Sequence, residues 1–93
     1  MYYVYILQST TKPKMYIGYS ADLKSRIARH NDGGVQSTKY YRPWSLLYYE
    51  AYSSDALAHS REKALKNKGK GWIELKKRIV PRMVNLDGVP IEE

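Results

Sequence analysis

The sequence contains no cysteine, no phenylalanine and no long run of apolar residues. Without cysteine the chain can form neither a disulfide nor a thiolate zinc site. No apolar run approaches the roughly 18 residues that a membrane span requires. The apolar start at residues 1–7 has neither a basic leader nor a small-residue cleavage site. These absences predict a protein of the reducing cytoplasm with no membrane partner.

The length of 93 residues indicates one small domain. A chain of this size buries only a little over roughly 60% of the surface that it exposes when unfolded. It can therefore form one core, and its active surface should be an open face or a shallow groove. We expect the domain to occupy residues 1–82 and to be followed by a loosely ordered tail at 83–93.

The positive charge of the chain is concentrated in one segment. The formal net charge is +7, and residues 61–82 hold nine Lys or Arg against two Glu. This segment therefore accounts for the whole imbalance, which is typical of a protein with a polyanionic partner. A lysine-rich helix face that is simply solvated would give the same composition.

The pattern of apolar and turn residues predicts three strands and three helices. The predicted strands are residues 2–8, 15–19 and 44–52, and the predicted helices are residues 21–31, 53–68 and 72–80. Ser20 is expected to cap the first helix, with Asp22 in its first turn. The order β-β-α-β-α-α indicates an α+β fold, in which a small, mainly antiparallel three-stranded sheet is flanked by helices.

Two polar side chains fall on the apolar stripe of the first predicted helix. Arg26 follows Leu23 by three positions and precedes Ile27, and His30 lies one turn after Arg26. A guanidinium group beside the core requires an anionic partner, because an unpaired buried charge costs several kcal/mol or more. The alternative is an Arg that packs its stem on the core and keeps its head in water.

Glu62 poses the same question on the second predicted helix. It lies in one row with Ala58 and Leu65, where a carboxylate is costly unless it is paired or bound to a metal ion. The alternative is a surface Glu that pairs with Lys66 at i+4. In the hairpin, Tyr5 and Tyr16 could be ordinary strand residues, whereas Gly18 within a strand indicates the close approach of another backbone or a ligand.

Taken together, these positions resemble the GIY-YIG nuclease family over residues 1–80. Val4, Tyr5 and Ile6 correspond to the first half of the motif, with Val in place of Gly, and Tyr16, Ile17 and Gly18 correspond to the second half. An Arg and a His on the following helix and a Glu on a later one complete the resemblance, at Arg26, His30 and Glu62. The likeness is greatest to the small, single-domain bacterial members.

The resemblance implies a metal-dependent endonuclease of DNA repair or processing. Glu62 would anchor Mg²⁺ or Mn²⁺, since Mg²⁺ is held by one or two carboxylates together with waters and substrate phosphates. Arg26 would contact the scissile phosphate. Tyr5 would position or deprotonate the attacking water, and Tyr16 and His30 would orient it or relay the proton. Which of Tyr5 and His30 is the general base remains open.

Basic residues around the cleft are expected to hold the DNA backbone electrostatically. They are Lys39, Arg42, Lys63, Lys66 and Lys70. No predicted helix is suited to reading a major groove, so selection by DNA structure rather than by sequence is expected. The alternative function is a nucleic-acid-binding module that keeps the scaffold and turns over poorly or not at all. A homodimer or another protein partner is left open.

Overall fold

A computed structural model describes residues 1–79 of the chain, and the predicted tail at 83–93 lies outside them. The elements confirm the predicted order: strands β1 (Tyr2–Ser9) and β2 (Met15–Ser20), helix α1 (Leu23–Asn31), one 3₁₀ turn (Lys39–Tyr41), strand β3 (Trp44–Tyr52), and helices α2 (Asp55–Lys66) and α3 (Lys70–Ile79). The fold is α+β, as the sequence indicated. Among these residues no helix is long and apolar enough to cross a membrane.

The three strands form one antiparallel sheet in the order β2-β1-β3. In this sheet β1 is the central strand, and Val4, Tyr5, Ile6 and Leu7 are all buried. Successive side chains of a strand point to opposite faces of the sheet, so a central strand covered on both faces is apolar at nearly every position. The continuous apolar run of β1 is explained in this way.

Helices cover both faces of the sheet and divide the core into two clusters. One face carries α2 and α3, and its cluster comprises Val4, Ile6, Ile17, Ala58, Leu65, Trp72, Leu75 and Ile79. The other face carries α1, with Tyr5, Leu7 and Trp44 at its centre and Tyr16, Leu23 and Ile27 packed around them. Burying one large apolar side chain contributes about 1.5–3 kcal/mol. Because successive side chains of β1 alternate between the two faces, Tyr5 lies on the α1 face.

The helix ends differ from the prediction by a few residues. The predicted cap at Ser20 is wrong: Asp22 caps α1, because its side chain accepts a hydrogen bond from the Ser25 amide at 3.1 Å. Ser20 instead accepts from the Asp22 amide at 3.0 Å and forms the turn before the helix. Helix α2 ends at Lys66, two residues early, because Asn67 caps it and Lys68 adopts a left-handed φ of 57°.

Side-chain hydrogen bonds hold the segment 32–43 against the sheet. The Asn31 side chain bonds both backbone groups of Trp44, and the Trp44 indole donates to the Thr38 carbonyl at 3.0 Å. The Ser9 hydroxyl donates to the Tyr41 carbonyl at 2.7 Å. These bonds fix Thr38 beside the α1 face of the sheet, where it is fully buried.

A carboxylate ties β3 to α2 on the other face. Glu50 accepts hydrogen bonds from Nε and a terminal nitrogen of Arg61 at 2.8 and 3.0 Å. It also accepts the hydroxyl groups of Tyr48 and Tyr52, each at 2.6 Å. Arg61 belongs to the basic segment, but its charge is neutralised within the fold and is not available to a polyanion.

Candidate active site

Four of the five predicted catalytic side chains meet on the α1 face of the sheet. Tyr5 lies on β1, Tyr16 on β2, and Arg26 and His30 on α1. The Tyr5 hydroxyl is 2.8 Å from Nε2 of His30. The Tyr16 and His30 rings pack edge to face with their centroids 4.9 Å apart. Residues that are 25 positions apart in the chain are thus brought into direct contact.

The absence of a side chain at Gly18 makes room for Tyr5. Gly18 is the cross-strand partner of Tyr5, and a Cβ atom on it would lie 2.4 Å from Cζ and from the hydroxyl oxygen of Tyr5. The same atom would lie 2.8 Å from the Tyr16 ring. The close approach that the sequence indicated is therefore real, but two tyrosine side chains occupy the space, not a backbone or a ligand.

A chain of hydrogen bonds favours one tautomer of His30. The Thr38 hydroxyl is 2.8 Å from Nδ1 of His30 and donates its own proton to the Val35 carbonyl at 3.3 Å. A carbonyl can only accept, so the Thr38 oxygen accepts a proton from Nδ1. Nε2 is then unprotonated and accepts the hydrogen bond of Tyr5. We therefore assign Nε2 as the basic nitrogen of the site.

The environment keeps His30 neutral at pH 7. Burial, and to a smaller extent the positive charges of Arg26 and Arg29, lower the pKa of His30 from 6.5 to about 4. The imidazole is fully buried, so its charged form is poorly solvated. A neutral His with a free Nε2 is able to accept a proton from Tyr5.

Tyr5 is held in its protonated form. Burial raises the pKa of Tyr5 from 10.0 to about 12. A hydrogen bond from Arg26 opposes this shift, whereas the neighbouring Tyr16 and the carboxylate of Glu62 add to it. At neutral pH, Tyr5 is thus a hydroxyl that donates to His30 and receives a hydrogen bond from Arg26.

Arg26 has a buried nitrogen without an acceptor. Its side chain is half-buried, and Nε has no hydrogen-bond partner within the described part of the chain. A buried donor that is left unsatisfied costs about 1–3 kcal/mol. The sequence allowed two interpretations of Arg26: a guanidinium group that requires an anionic partner, or one that is fully hydrated. This geometry favours the first.

Glu62 lies on α2 at the border of the site, between the side chains of Lys66 and His59. Its side chain is only 18% exposed, and Lys66 contacts one carboxylate oxygen at 3.0 Å. Nδ1 of His59 lies 3.9 Å from the other oxygen. The i,i+4 pair with Lys66 that the sequence offered as an alternative is therefore present, and the Glu62 charge is also close enough to act on Tyr5.

The donor set fits only a metal ion that keeps most of its waters. Within residues 1–79, no group of three or more His, Asp or Glu side chains converges as a metal cage. Glu62 therefore offers a single carboxylate. That suits Mg²⁺, which commonly takes one or two carboxylates and completes its shell with waters and substrate phosphates. A metal ion at Glu62 would compete with Lys66 for the carboxylate.

Two contacts at the site had no clear signal in the sequence. Thr38, which orients His30, lies in a loop whose position against the sheet depends on tertiary hydrogen bonds. His59 stacks on Tyr19 with ring centroids 3.9 Å apart and lies 3.4 Å from Asp55. The i,i+4 spacing of Asp55 and His59 could have indicated their contact, but not the stacking.

The predicted DNA-binding residues are all exposed or half-exposed, but they do not form one cluster. Lys39 and Arg42 line a shallow hollow of about 400 Å³ together with Gln36 and Tyr40. Lys66 is paired with Glu62 beside the candidate site. The other two predicted contacts, Lys63 on α2 and Lys70 at the start of α3, are exposed.

Comparison with known proteins agrees with this fold. The model of the GIY-YIG catalytic domain matches residues 1–77. UPF0213 proteins of Streptococcus pyogenes serotypes M5 and M3 are each 45% identical over 67 residues, which cover 71% of this chain and 72% of theirs. The solution NMR structure of a UPF0213 protein from Bacillus halodurans is 31% identical, covers 84% of both chains and has a TM-score of 0.50. The chain therefore belongs to the GIY-YIG family, whose catalytic domain is that of nucleases.

Proposed function

We propose that this protein is a metal-dependent endonuclease that hydrolyses phosphodiester bonds of DNA and selects its substrate by structure. The observation that carries the proposal is the buried Nε of Arg26, which has no acceptor among residues 1–79 and lies beside the Tyr5 and His30 pair. A phosphate at the exposed part of the Arg26 side chain would supply the anionic partner that a guanidinium group beside the core requires. Arg binds phosphate with a planar fork of donors, and its contact strengthens as charge grows in the transition state.

Tyr5 and His30 are arranged for a proton relay. The oxygen of Tyr5 would accept a proton from the attacking water while its own proton passes to Nε2 of His30, 2.8 Å away. The water oxygen then forms the new bond to phosphorus, and His30 ends as an imidazolium. In this scheme Tyr5 contacts the water and His30 is the final proton acceptor, which assigns a role to each candidate base.

Substrate binding would ease this proton transfer. Burial is the largest cause of the low pKa of His30, and the charge of Arg26 is the next. A phosphate bound to Arg26 would neutralise part of that positive charge and so raise the pKa of His30 toward its usual range. Thr38 keeps Nδ1 protonated throughout, so that Nε2 stays directed at Tyr5.

Glu62 would hold the metal ion. A bound Mg²⁺ or Mn²⁺ would supply Lewis-acid stabilisation of the charge on the leaving oxygen. The Glu62–Lys66 pair adjoins the aromatic cluster, since Nζ of Lys66 lies over the Tyr16 ring at 5.9 Å from its centroid. With Glu62 engaged by a metal ion, Lys66 would be released to contact the DNA backbone.

A second candidate function is a binding module that does not cleave. It is favoured by the Glu62–Lys66 ion pair, which satisfies the carboxylate without any metal ion. The raised pKa of Tyr5 and the lowered pKa of His30 also favour it, because both shifts oppose transfer of the Tyr5 proton to His30 in the free protein. Both functions require DNA binding that weakens as salt is added.

Nicking of supercoiled, branched and single-stranded DNA with Mg²⁺ or Mn²⁺ tests the proposal. We expect wild type to cleave and Glu62→Ala to lose roughly 100-fold or more of the rate, with DNA binding in chelator unchanged or stronger. Glu74→Ala is the matched control, because Glu74 is also a helical Glu paired with a Lys, at 3.3 Å from Lys77. A wild-type protein that never cleaves, or a Glu62→Ala variant that cleaves normally, would contradict the endonuclease function.

A further inference from the structure

A second hollow adjoins the candidate active site on the side of Tyr16. It measures about 260 Å³, and three lysines, Lys14, Lys66 and Lys68, line it together with Tyr16 and Ser37. Ligand pockets for whole small molecules are usually about 300–1,000 Å³. The hollow is thus slightly smaller than a typical ligand pocket and has room for a small anion.

Positive charge exceeds negative charge in this hollow. Lys14 and Lys68 lie over the rings of Tyr41 and Trp72, at 5.4 and 4.1 Å from the ring centroids, and among residues 1–79 neither forms an ion pair with a carboxylate. Burial lowers the pKa of Lys68, and the nearby charges of Lys76 and Lys14 lower it further. An anion in the hollow would relieve the repulsion between these ammonium groups.

Lys68 occupies a backbone position that a glycine would fill with less strain. Its φ of 57° is left-handed, directly after the Asn67 cap of α2, where helices commonly end in glycine. The next residue is Gly69, so a glycine is available one position away and is not used at the strained position. Lys68 is nevertheless held in this conformation, in which its side chain lines the hollow and lies over the Trp72 ring.

We propose that Lys14, Lys66 and Lys68 form a subsite for a DNA backbone phosphate next to the one held at Arg26. The proposal rests on the proposed function, because Tyr16 connects the hollow to the candidate active site. The Ser37 hydroxyl would add a neutral donor to the three ammonium groups. A strand bound here would have one phosphate at the reacting centre and a neighbouring phosphate fixed among the lysines.

The salt dependence of DNA binding, measured in chelator so that no cleavage occurs, tests this subsite. For Lys14→Ala and Lys68→Gly, we expect the slope of log affinity against log salt to fall in each variant. The double variant should lose about 1 in total, because both lysines contact the same phosphate. Lys24→Ala is the control, because it removes the same charge from α1, away from the hollow, and should keep the wild-type slope. Lys66 is left unchanged, since it also contacts Glu62.

The Lys68→Gly variant distinguishes an effect on DNA binding from an effect on folding. Glycine suits the left-handed backbone, so this variant should unfold at a temperature close to that of wild type while its DNA affinity falls several-fold. Slopes equal to that of Lys24→Ala would overturn the subsite, even if wild type cleaves DNA. Binding of inorganic phosphate can be measured on the same variants. If the variants lose phosphate binding but keep the wild-type salt dependence of DNA affinity, the subsite is overturned as well. Reduced slopes without any cleavage would support the subsite and refute the endonuclease function separately.

Discussion

Replacing Gly18 by alanine should disrupt the centre of the candidate site. The new Cβ would lie 2.4 Å from two atoms of Tyr5, and the Tyr5 ring is fully buried and hydrogen-bonded to His30, so it cannot turn into solvent. Overpacking of a core costs about 1–3 kcal/mol, and the loss of a buried hydrogen bond adds about 1 kcal/mol. We therefore expect Gly18→Ala to lower the free energy of unfolding by about 2–4 kcal/mol.

For a domain of this size, 1 kcal/mol corresponds to a shift of about 4–8 °C in the melting temperature. Gly18→Ala should thus melt at least about 8 °C below wild type by calorimetry and should unfold at lower urea. Gly69→Ala is the control, because a Cβ there meets no atom within 4 Å. A Gly18→Ala protein within about 0.5 kcal/mol of wild type would refute the reasoning.

A double variant locates the strain. Tyr5→Phe removes one of the two atoms that the new Cβ would approach at 2.4 Å. Gly18→Ala should therefore cost less in a Tyr5→Phe background than in wild type, with a coupling of about 0.5 kcal/mol or more. Additive effects would place the strain elsewhere, at the Tyr16 ring.

Two further predictions concern His30 and Glu50. Thr38→Val removes the acceptor of the Nδ1 proton; it should slow DNA cleavage roughly 10- to 100-fold and change the His30 tautomer seen by nitrogen-15 NMR, whereas Thr38→Ser should not. Equal rates for the two variants would exclude the relay. Burial raises the pKa of Glu50, but the hydrogen bonds from Arg61 and two tyrosines outweigh it and hold the pKa below 4.5. The resulting stability is present above about pH 4.5 and lost as pH falls through the folded pKa, so Glu50→Gln should cost about 2–4 kcal/mol in urea denaturation at pH 7 and clearly less near pH 3. The same cost at both pH values would contradict this account.

Most of the fold could be predicted because local signals agree with tertiary packing. The third strand coincides with the prediction at both ends, and the central position of β1 follows from its continuous apolar run. The helix ends were predicted less well. Ser20 and Asp22 are both good caps, and only the backbone path out of β2 decides that Asp22 is used.

The meeting of Tyr5, Tyr16, Arg26 and His30 was predicted from the resemblance to the GIY-YIG family, because Tyr5 and Tyr16 taken alone could have been ordinary strand residues. The role of Thr38 could not be anticipated, since Thr38 lies in a loop eight positions after His30. Neither could the hollow beside Tyr16, because Lys14 and Lys68 reach it from the ends of elements, where side-chain direction depends on turn geometry.

The hydrogen-bonded position of β1 between two strands has a consequence for local opening. The amides of β1 can exchange with solvent only when the whole sheet opens, so Tyr5 stays in place as long as the domain is folded. Thr38 lies on the segment 32–43, which a few side-chain bonds hold to the sheet. Partial detachment of that segment would free Nδ1 of His30 and let its tautomers interchange while the domain stays folded. Fast hydrogen exchange confined to 32–43 would therefore report the fraction of time in which the relay is uncoupled.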